Sequence, residues 1–208
     1  ALSRWFRSNI IQAMAVHRPP LLDLVESLGR LAAGERRRRA VAAGLQPVHV
    51  QALEYLRRCN RYSNTPQALA DYLGLTKGTV SQSLQLLERK GLIARQPDEA
   101  DRRVLRLVLT ADGETLVGSG GEPAEWSSAL AGLSAEAAGT AAATLARLLA
   151  TMQRRRDGLS FGACHSCRHF RQEGTTAYRC GLTGEPLDTD DSRRICREHA
   201  WPEASSDD

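Results

Sequence analysis

Residues 65–110 read TPQALADYLGLTKGTVSQSLQLLERKGLIARQPDEADRRVLRLVLT. Thr65 followed by Pro66 is a helix start, because a threonine hydroxyl caps the first turn and proline costs nothing there. Leu69, Ala70 and Tyr72 continue that helix, and residues 73–75, Leu-Gly-Leu, make a tight turn. Thr76 caps a second helix whose Val80, Leu84 and Leu87 fall on one face. Gly91 ends it. Two alternating segments, 92–96 and 104–109, flank the polar stretch 97–103 and predict a β-hairpin with a charged tip.

Two short helices joined by a glycine turn and followed by a hairpin are the pattern of a winged helix-turn-helix. The second helix of such a unit approaches base edges in the major groove, so its outward face must carry small polar side chains early. With Val80, Leu84 and Leu87 turned inward, the outward positions are Lys77, Gly78, Ser81, Gln82 and Gln85. Gln82 is the candidate for an adenine edge, and Thr76, Lys77, Thr79 and Ser81 are candidates for phosphates or bases. Arg89, further along, suits a backbone contact.

Outward from this stretch the chain is helical. Pro47 opens a helix to about Arg58 with Val50, Leu53 and Leu56 on one face. Upstream, 21–43 places Leu21, Leu24, Val25, Leu28 and Leu31 at helical spacing, and Gly44 fits its C-terminal cap. The run Arg36–Arg39 sits late in that helix, where cations suit the dipole, and reads as a solvated face, with a phosphate-binding patch as the alternative. Residues 1–20 are a mixed preamble ending in Pro19-Pro20. Downstream, Thr110 caps a short helix that runs into GSGGEP at 118–123, a breaker cluster. Residues 124–156 are Ala- and Leu-rich, with Leu130, Leu133, Leu145, Leu148, Leu149 and Met152 as an apolar stripe.

From Gly44 to about Val117 the chain, with the strings GLQPVHVQALEYL, TPQALADYLGLTKGTVSQSLQLLERKGLIAR and DEADRRVLRLVLTADG, resembles the MarR family of bacterial transcription regulators. Asp101-Arg102-Arg103 followed by Leu109-Thr110 is the wing signature in that resemblance. It implies that residues 76–90 form the recognition helix and that Arg102 and Arg103 reach the flanking minor groove, with Asp101 orienting one of them. Arginine suits a narrow, strongly negative groove, and an exposed ion pair by itself contributes little. The resemblance also implies a homodimer built from 21–43 and 124–156, bound to a palindromic double-stranded operator with half-sites about one helical turn apart. The family runs a continuous helix from the wing domain toward the dimer interface. GSGGEP interrupts it here, as a hinge or as a plain loop.

Four of the five cysteines lie beyond that region, at Cys164, Cys167, Cys180 and Cys196, spaced C-x2-C-x12-C-x15-C. Thiolates suit zinc or iron–sulfur clusters, and four of them complete either site. A segment of this size with no large core of its own also needs such a staple. Zinc sites commonly pair two knuckles, whereas only the first pair is a knuckle here. The words CHSCRHF, YRCGLTGEPL and ICREH are similar in outline to high-potential iron–sulfur proteins and related small cluster-binding subunits. The expected cofactor is therefore an iron–sulfur cluster, 4Fe–4S or 2Fe–2S, with Zn2+ as the alternative. His199, three residues after Cys196, is a further candidate nitrogen donor beside His165 and His169. Cys59 reads as a packed thiol.

The 208 residues are 42% hydrophobic, 25% charged and 5% aromatic, which fits a folded globular chain with a mainly aliphatic core. Net charge is +4, and Lys77 and Lys90 are the two lysines among 28 basic residues, an arginine-rich balance that permits a polyanionic partner. No stretch reaches the ~18 apolar residues of a membrane span, and Asn9 and Gln12 interrupt the N-terminal apolar run, which reads against a signal peptide. A cytoplasmic location and no membrane partner are expected. There is no Ser-His-Asp order, phosphate loop or HExxH, so an enzyme is not expected.

The fold class is mainly α with a small β-hairpin wing. It divides into N-terminal dimerisation helices (1–44), a winged helix-turn-helix DNA-binding domain (45–118), C-terminal dimerisation helices (119–156) and a cysteine-rich metal-binding segment (157–208). The function read from this is a homodimeric, sequence-specific DNA-binding regulator whose cluster senses redox state, nitric oxide or iron. It transmits that state through the dimerisation helix that the segment follows. One alternative is the same regulator with structural zinc and a separate small-molecule effector. Another is a redox or electron-transfer subunit that uses the winged helix for protein docking.

Overall fold

Threonine and serine caps set four of the eight α-helix starts among the described residues. The Thr65 hydroxyl accepts from Ala68 N at 3.2 Å, Thr76 from Thr79 N at 3.2 Å, Thr110 from Gly113 N at 3.1 Å and Ser134 from Ala137 N at 3.2 Å. The structure, a computed structural model, describes residues 20–99, 101–118, 124–155 and 160–202. The N-terminal preamble, the glycines of the proposed hinge at 119–123 and the acidic end at 203–208 lie outside the described residues. The chain forms two compact units, Ala1–Val50 and Gln51–Asp208.

In the first unit, helix α1 (Pro20–Ala42) has Asp23 in its first turn and Arg39 in its last, both favourable to the helix dipole. Gly44 follows with φ +60°. Glu35 pairs with Arg38 and with Arg39, so the arginine run belongs to a charged helix face. Leu24 and Leu31 are 56% and 65% exposed in the single chain.

Helix α2 (Pro47–Arg58) leads into the helix-turn-helix, α3 (Pro66–Leu73) and α4 (Lys77–Arg89). Gly74 sits at φ +65°, ψ +35°, and its N–H closes back on Ala70 and Asp71 carbonyls; an L side chain would be strained in this left-handed turn. Strands β1 (Ile93–Pro97) and β2 (Leu105–Leu109) pair antiparallel, with Ile93 opposite Leu109 and Pro97 opposite Leu105. Leu53, Leu69, Val80, Leu84, Leu87 and Leu107 are almost fully buried. Each contributes roughly 1.5–3 kcal/mol by leaving water. Helix α5 (Ala111–Val117) follows the wing.

The Ala- and Leu-rich stretch is two helices, α6 (Ala124–Ala131) and α7 (Ala135–Arg154), separated at the Ser134 cap. Leu130, Leu148, Leu149 and Met152 are exposed along them. Among the described residues no helix is long and apolar enough to cross a membrane.

The cysteine-rich segment is more ordered than its sequence suggests. Strand β3 (Gly162–Ala163) pairs with β7 (Ile195–Cys196), and β4 (Phe170–Gln172), β5 (Tyr178–Cys180) and β6 (Pro186–Leu187) form a three-stranded sheet. Helix α8 (Thr189–Arg193) is started by a capping box between Asp188 and Asp191. Strands of two or three residues carry too little alternation to be read as periodicity, which is why the sequence shows only an end to the helical pattern.

Candidate nucleic-acid interface and cysteine site

The second helix of the helix-turn-helix presents its polar face outward. Thr76, Lys77, Gly78, Thr79, Ser81, Gln82, Gln85 and Arg89 are all exposed, while Val80, Leu84 and Leu87 are buried. Thr79 is partly engaged, since its hydroxyl lies 3.0 Å from the Thr76 hydroxyl and so reinforces the cap. Ser83 faces inward and donates to the Thr79 carbonyl at 3.0 Å.

At the wing tip Arg102 and Arg103 are exposed. Asp101 takes Arg103 in a fork, with Nε–Oδ1 and Nη2–Oδ2 both at 2.9 Å. The hydrogen bonds from Arg103 hold the Asp101 carboxyl below the usual carboxylate range. Asp101 therefore does orient one wing arginine, and the guanidinium stays 90% exposed.

Arg106 is a residue that sequence reasoning alone does not single out. Its Nε donates to Asp98 Oδ2 at 2.7 Å, and its Nη1 reaches the Tyr62 carbonyl at 3.3 Å and Asn64 Oδ1 at 3.4 Å. Leu107 N donates to the Asn64 carbonyl at 2.7 Å. Tyr62 and Asn64 thus brace the base of the wing. The alternation of β2 marks Arg106 as an outward position, and nothing in the spacing reveals the oxygens that meet it there.

A groove of about 510 Å³ runs between the helix-turn-helix and the wing, lined among others by Gln67, Lys77, Ser81, Arg95, Arg103 and Arg197. Arg197 comes from the cysteine segment, and its Nη2 pairs with Asp71 Oδ2 at 3.0 Å.

The four cysteines separated in sequence meet at one place. Cys164, Cys167, Cys180 and Cys196 line a single cavity of about 40 Å³, together with Asn60, Phe170 and Leu187. That volume exceeds the ~10–15 Å³ one water needs. Asn60 Nδ2 donates to Cys164 Sγ at 3.7 Å, and Ala200 N–H donates to Cys167 Sγ at 3.4 Å. The hydrogen bond from Cys164 holds the Cys196 thiol well below the ordinary cysteine range, and the same bond, with burial, pushes Cys164 up. Among the described residues no group of three or more His, Cys, Asp or Glu side chains is gathered tightly enough to hold one metal ion.

His199 stands apart from this cavity. It is buried, with Nδ1 3.0 Å from Ser160 Oγ and Nε2 3.1 Å from Ser166 Oγ, and its ring meets Trp201 edge-on at 4.6 Å. Both ring nitrogens are thus occupied by serines, which removes it as a candidate ligand. His169 lines the cavity and His165 does not; His165 Nδ1 lies 3.0 Å from the Ser192 carbonyl. Cys59 is a packed thiol, its Sγ 3.5 Å from the Leu56 carbonyl, and burial pushes it up to about 12.

The segment is joined to the rest of its unit by two routes. One runs through the expected dimerisation helix: Gln153 Nε2 donates to the Phe161 carbonyl at 3.2 Å, and Trp201 Nε1 donates to Gln153 Oε1 at 2.7 Å. The other goes directly to the winged helix and is denser. Ile195 bridges Cys59, with Asn60 N donating to the Ile195 carbonyl at 2.9 Å. Arg197 N donates to Ser63 Oγ at 2.8 Å, and Arg61 pairs with Glu185 at 2.6 Å. Phe161 packs edge-on against Tyr72 of α3 at 5.3 Å.

Residues 43–104 match the family model described as the MarR family. Among solved structures, the transcriptional regulator PA3341 is 26% identical, with 65% of this chain and 99% of that chain covered and a TM-score of 0.53. MepR of S. aureus, solved as a complex with DNA, is 25% identical, with 62% and 94% covered and a TM-score of 0.50. No curated protein matches the chain. The matched residues contain α2 to α4 and β1, so this part of the chain is similar to the winged helix of the MarR family.

Proposed function

We propose that the chain is a homodimeric, sequence-specific DNA-binding transcription regulator whose four-cysteine site holds an iron–sulfur cluster. The observation that carries the DNA-binding reading is the exposed polar face of α4 beside an arginine-tipped wing. MepR, solved with DNA, is similar in fold to this chain. The exposed leucines of α1, α6 and α7 supply apolar surface for a partner copy. Selection from a random duplex pool tests the reading. It should enrich a palindrome with half-sites about one helical turn apart; a pool that stays random contradicts it.

The cluster reading is supported by four thiols converging on one cavity with apolar walls and by N–H donors aimed at two of the sulfurs. A zinc ion draws its sulfurs to about 2.3 Å from one point, whereas a cluster spreads them around a larger core. The cluster is preferred to zinc on the sequence spacing, in which only Cys164 and Cys167 form a knuckle. Cys164, Cys167, Cys180 and Cys196 would hold it, Asn60 and Ala200 would stabilise the thiolates, and Phe170 and Leu187 would limit water. Such a cluster would confer sensitivity to oxidants, nitric oxide and iron supply. Anaerobic isolation should give a brown protein with comparable iron and sulfide; a colourless protein with one zinc per chain contradicts this assignment.

A further inference from the structure

Arg197 is fixed at both backbone and side chain. Its residue follows Cys196 directly, and β7 is tied to residues 59–60 through the Ile195 carbonyl. Its own N–H is held by Ser63 Oγ at 2.8 Å. One edge of the guanidinium rests on Asp71, whose other oxygen accepts from Gln67 Nε2 at 2.6 Å. A guanidinium has five N–H donors, so an anchored arginine retains donors for a second anion. The side chain remains one-third exposed, at 34%, and lines the groove that also holds Lys77, Ser81, Arg95 and Arg103. Among the described residues lining that groove none is Asp or Glu; Arg95 and Arg103, like Arg197, pair with carboxylates outside the lining, Glu88 and Asp101. Cations gathered from the recognition helix, the wing and the cysteine segment form a surface suited to a polyanion.

We infer that Arg197 is a phosphate-backbone contact of the DNA-binding surface, supplied by the cysteine segment rather than by the winged helix itself. The inference rests on the DNA-binding reading above. It makes the segment a part of the interface, and DNA affinity then depends on the fold around Cys196 as well as on α4 and the wing. Asp71 acts as the positioning partner.

The test is titration of the full-length protein with a random-sequence DNA duplex across a salt series, read by fluorescence anisotropy. Removing one arginine–phosphate pairing lowers the slope of log affinity against log salt by about one. Arg197→Ala should show that reduced slope with a raised Kd, and Arg197→Lys, which keeps the charge, should restore the slope. Asp71→Asn removes the ion pair but keeps the arginine, so its slope should equal or exceed that of the wild type. Arg197→Ala and Asp71→Asn weakening binding alike with unchanged slope would show a purely structural pair and overturn the inference. So would an unaltered Arg197→Ala in a protein whose Arg103→Ala slope has fallen, and in that case the DNA-binding reading stands. A wild type with no salt-dependent binding overturns both.

Discussion

The side-chain amide of Asn60 reaches Cys164 Sγ at 3.7 Å, while its oxygen accepts from Ser63 Oγ at 2.6 Å and Tyr62 N at 3.2 Å. One buried asparagine thereby joins the turn ahead of the helix-turn-helix to the first cysteine. The same amide also favours the thiolate of Cys196. Asn60→Ala leaves buried donors without an acceptor, at a cost of about 1–3 kcal/mol. If Cys164 holds the proposed cluster, the change also removes an outer support of its sulfur, which typically weakens metal affinity by about 10–100-fold. Urea denaturation and chelator competition should show both effects; a variant unchanged in both contradicts the link.

Gly162 is required by close approach. A Cβ there would lie 2.6 Å from His199 Nε2, in a ring already held by Ser160 and Ser166. Gly162→Ala must displace His199 or bend β3, at about 1–3 kcal/mol. Limited proteolysis should cut the variant's cysteine segment faster than the wild type's. An equal rate would mean the ring moves freely.

Burial holds the His199 imidazole below its usual value of 6.5. The unfolded chain therefore binds this proton more readily than the folded one, and stability from this group is complete above pH 6.5. It falls as pH drops below that value and through the lower folded one. Melting temperatures of the wild type should decline over that acid range more than those of His199→Gln. Parallel decline in the two proteins would exclude His199 as the cause.

Gln82 and Arg103 should separate by their signatures on DNA. Gln82→Ala relaxes preference at one base position by about 1–3 kcal/mol if its contact is bidentate. Arg103→Ala weakens all sequences together and lowers the salt slope by about one. Competition among single-base operator variants distinguishes these results. Equal weakening on every sequence from Gln82→Ala would remove it as a base reader.

Much of this architecture is legible in the sequence because its signals are local. Thr65, Thr76 and Thr110 announce helix starts within three residues, and Val80, Leu84 and Leu87 mark the inward face without any tertiary information. Three of the hairpin's four strand ends lie a single residue from expectation and the fourth, at Leu109, coincides with it, as terminal boundaries commonly vary. That the four distant cysteines belong together is legible from their clustering in the sequence, but the surroundings of the cavity they line are not. Asn60 lies 104 residues from Cys164, and Arg197 reaches Asp71 across a comparable span, so neither pairing leaves a periodic trace. His199 shows the converse: its position near Cys196 suggests a ligand, whereas burial between two serines gives it a packing role. Tertiary contact, not spacing, decides such residues.

The most direct measurement is the dissociation constant for the selected duplex of one protein preparation, before and after anaerobic removal of its metal by chelation. Tight, salt-steep binding should weaken on removal, with the helical circular dichroism of the winged domain retained. Equal dissociation constants in the two forms, or binding in neither, would contradict a DNA-binding regulator controlled by its cysteine site.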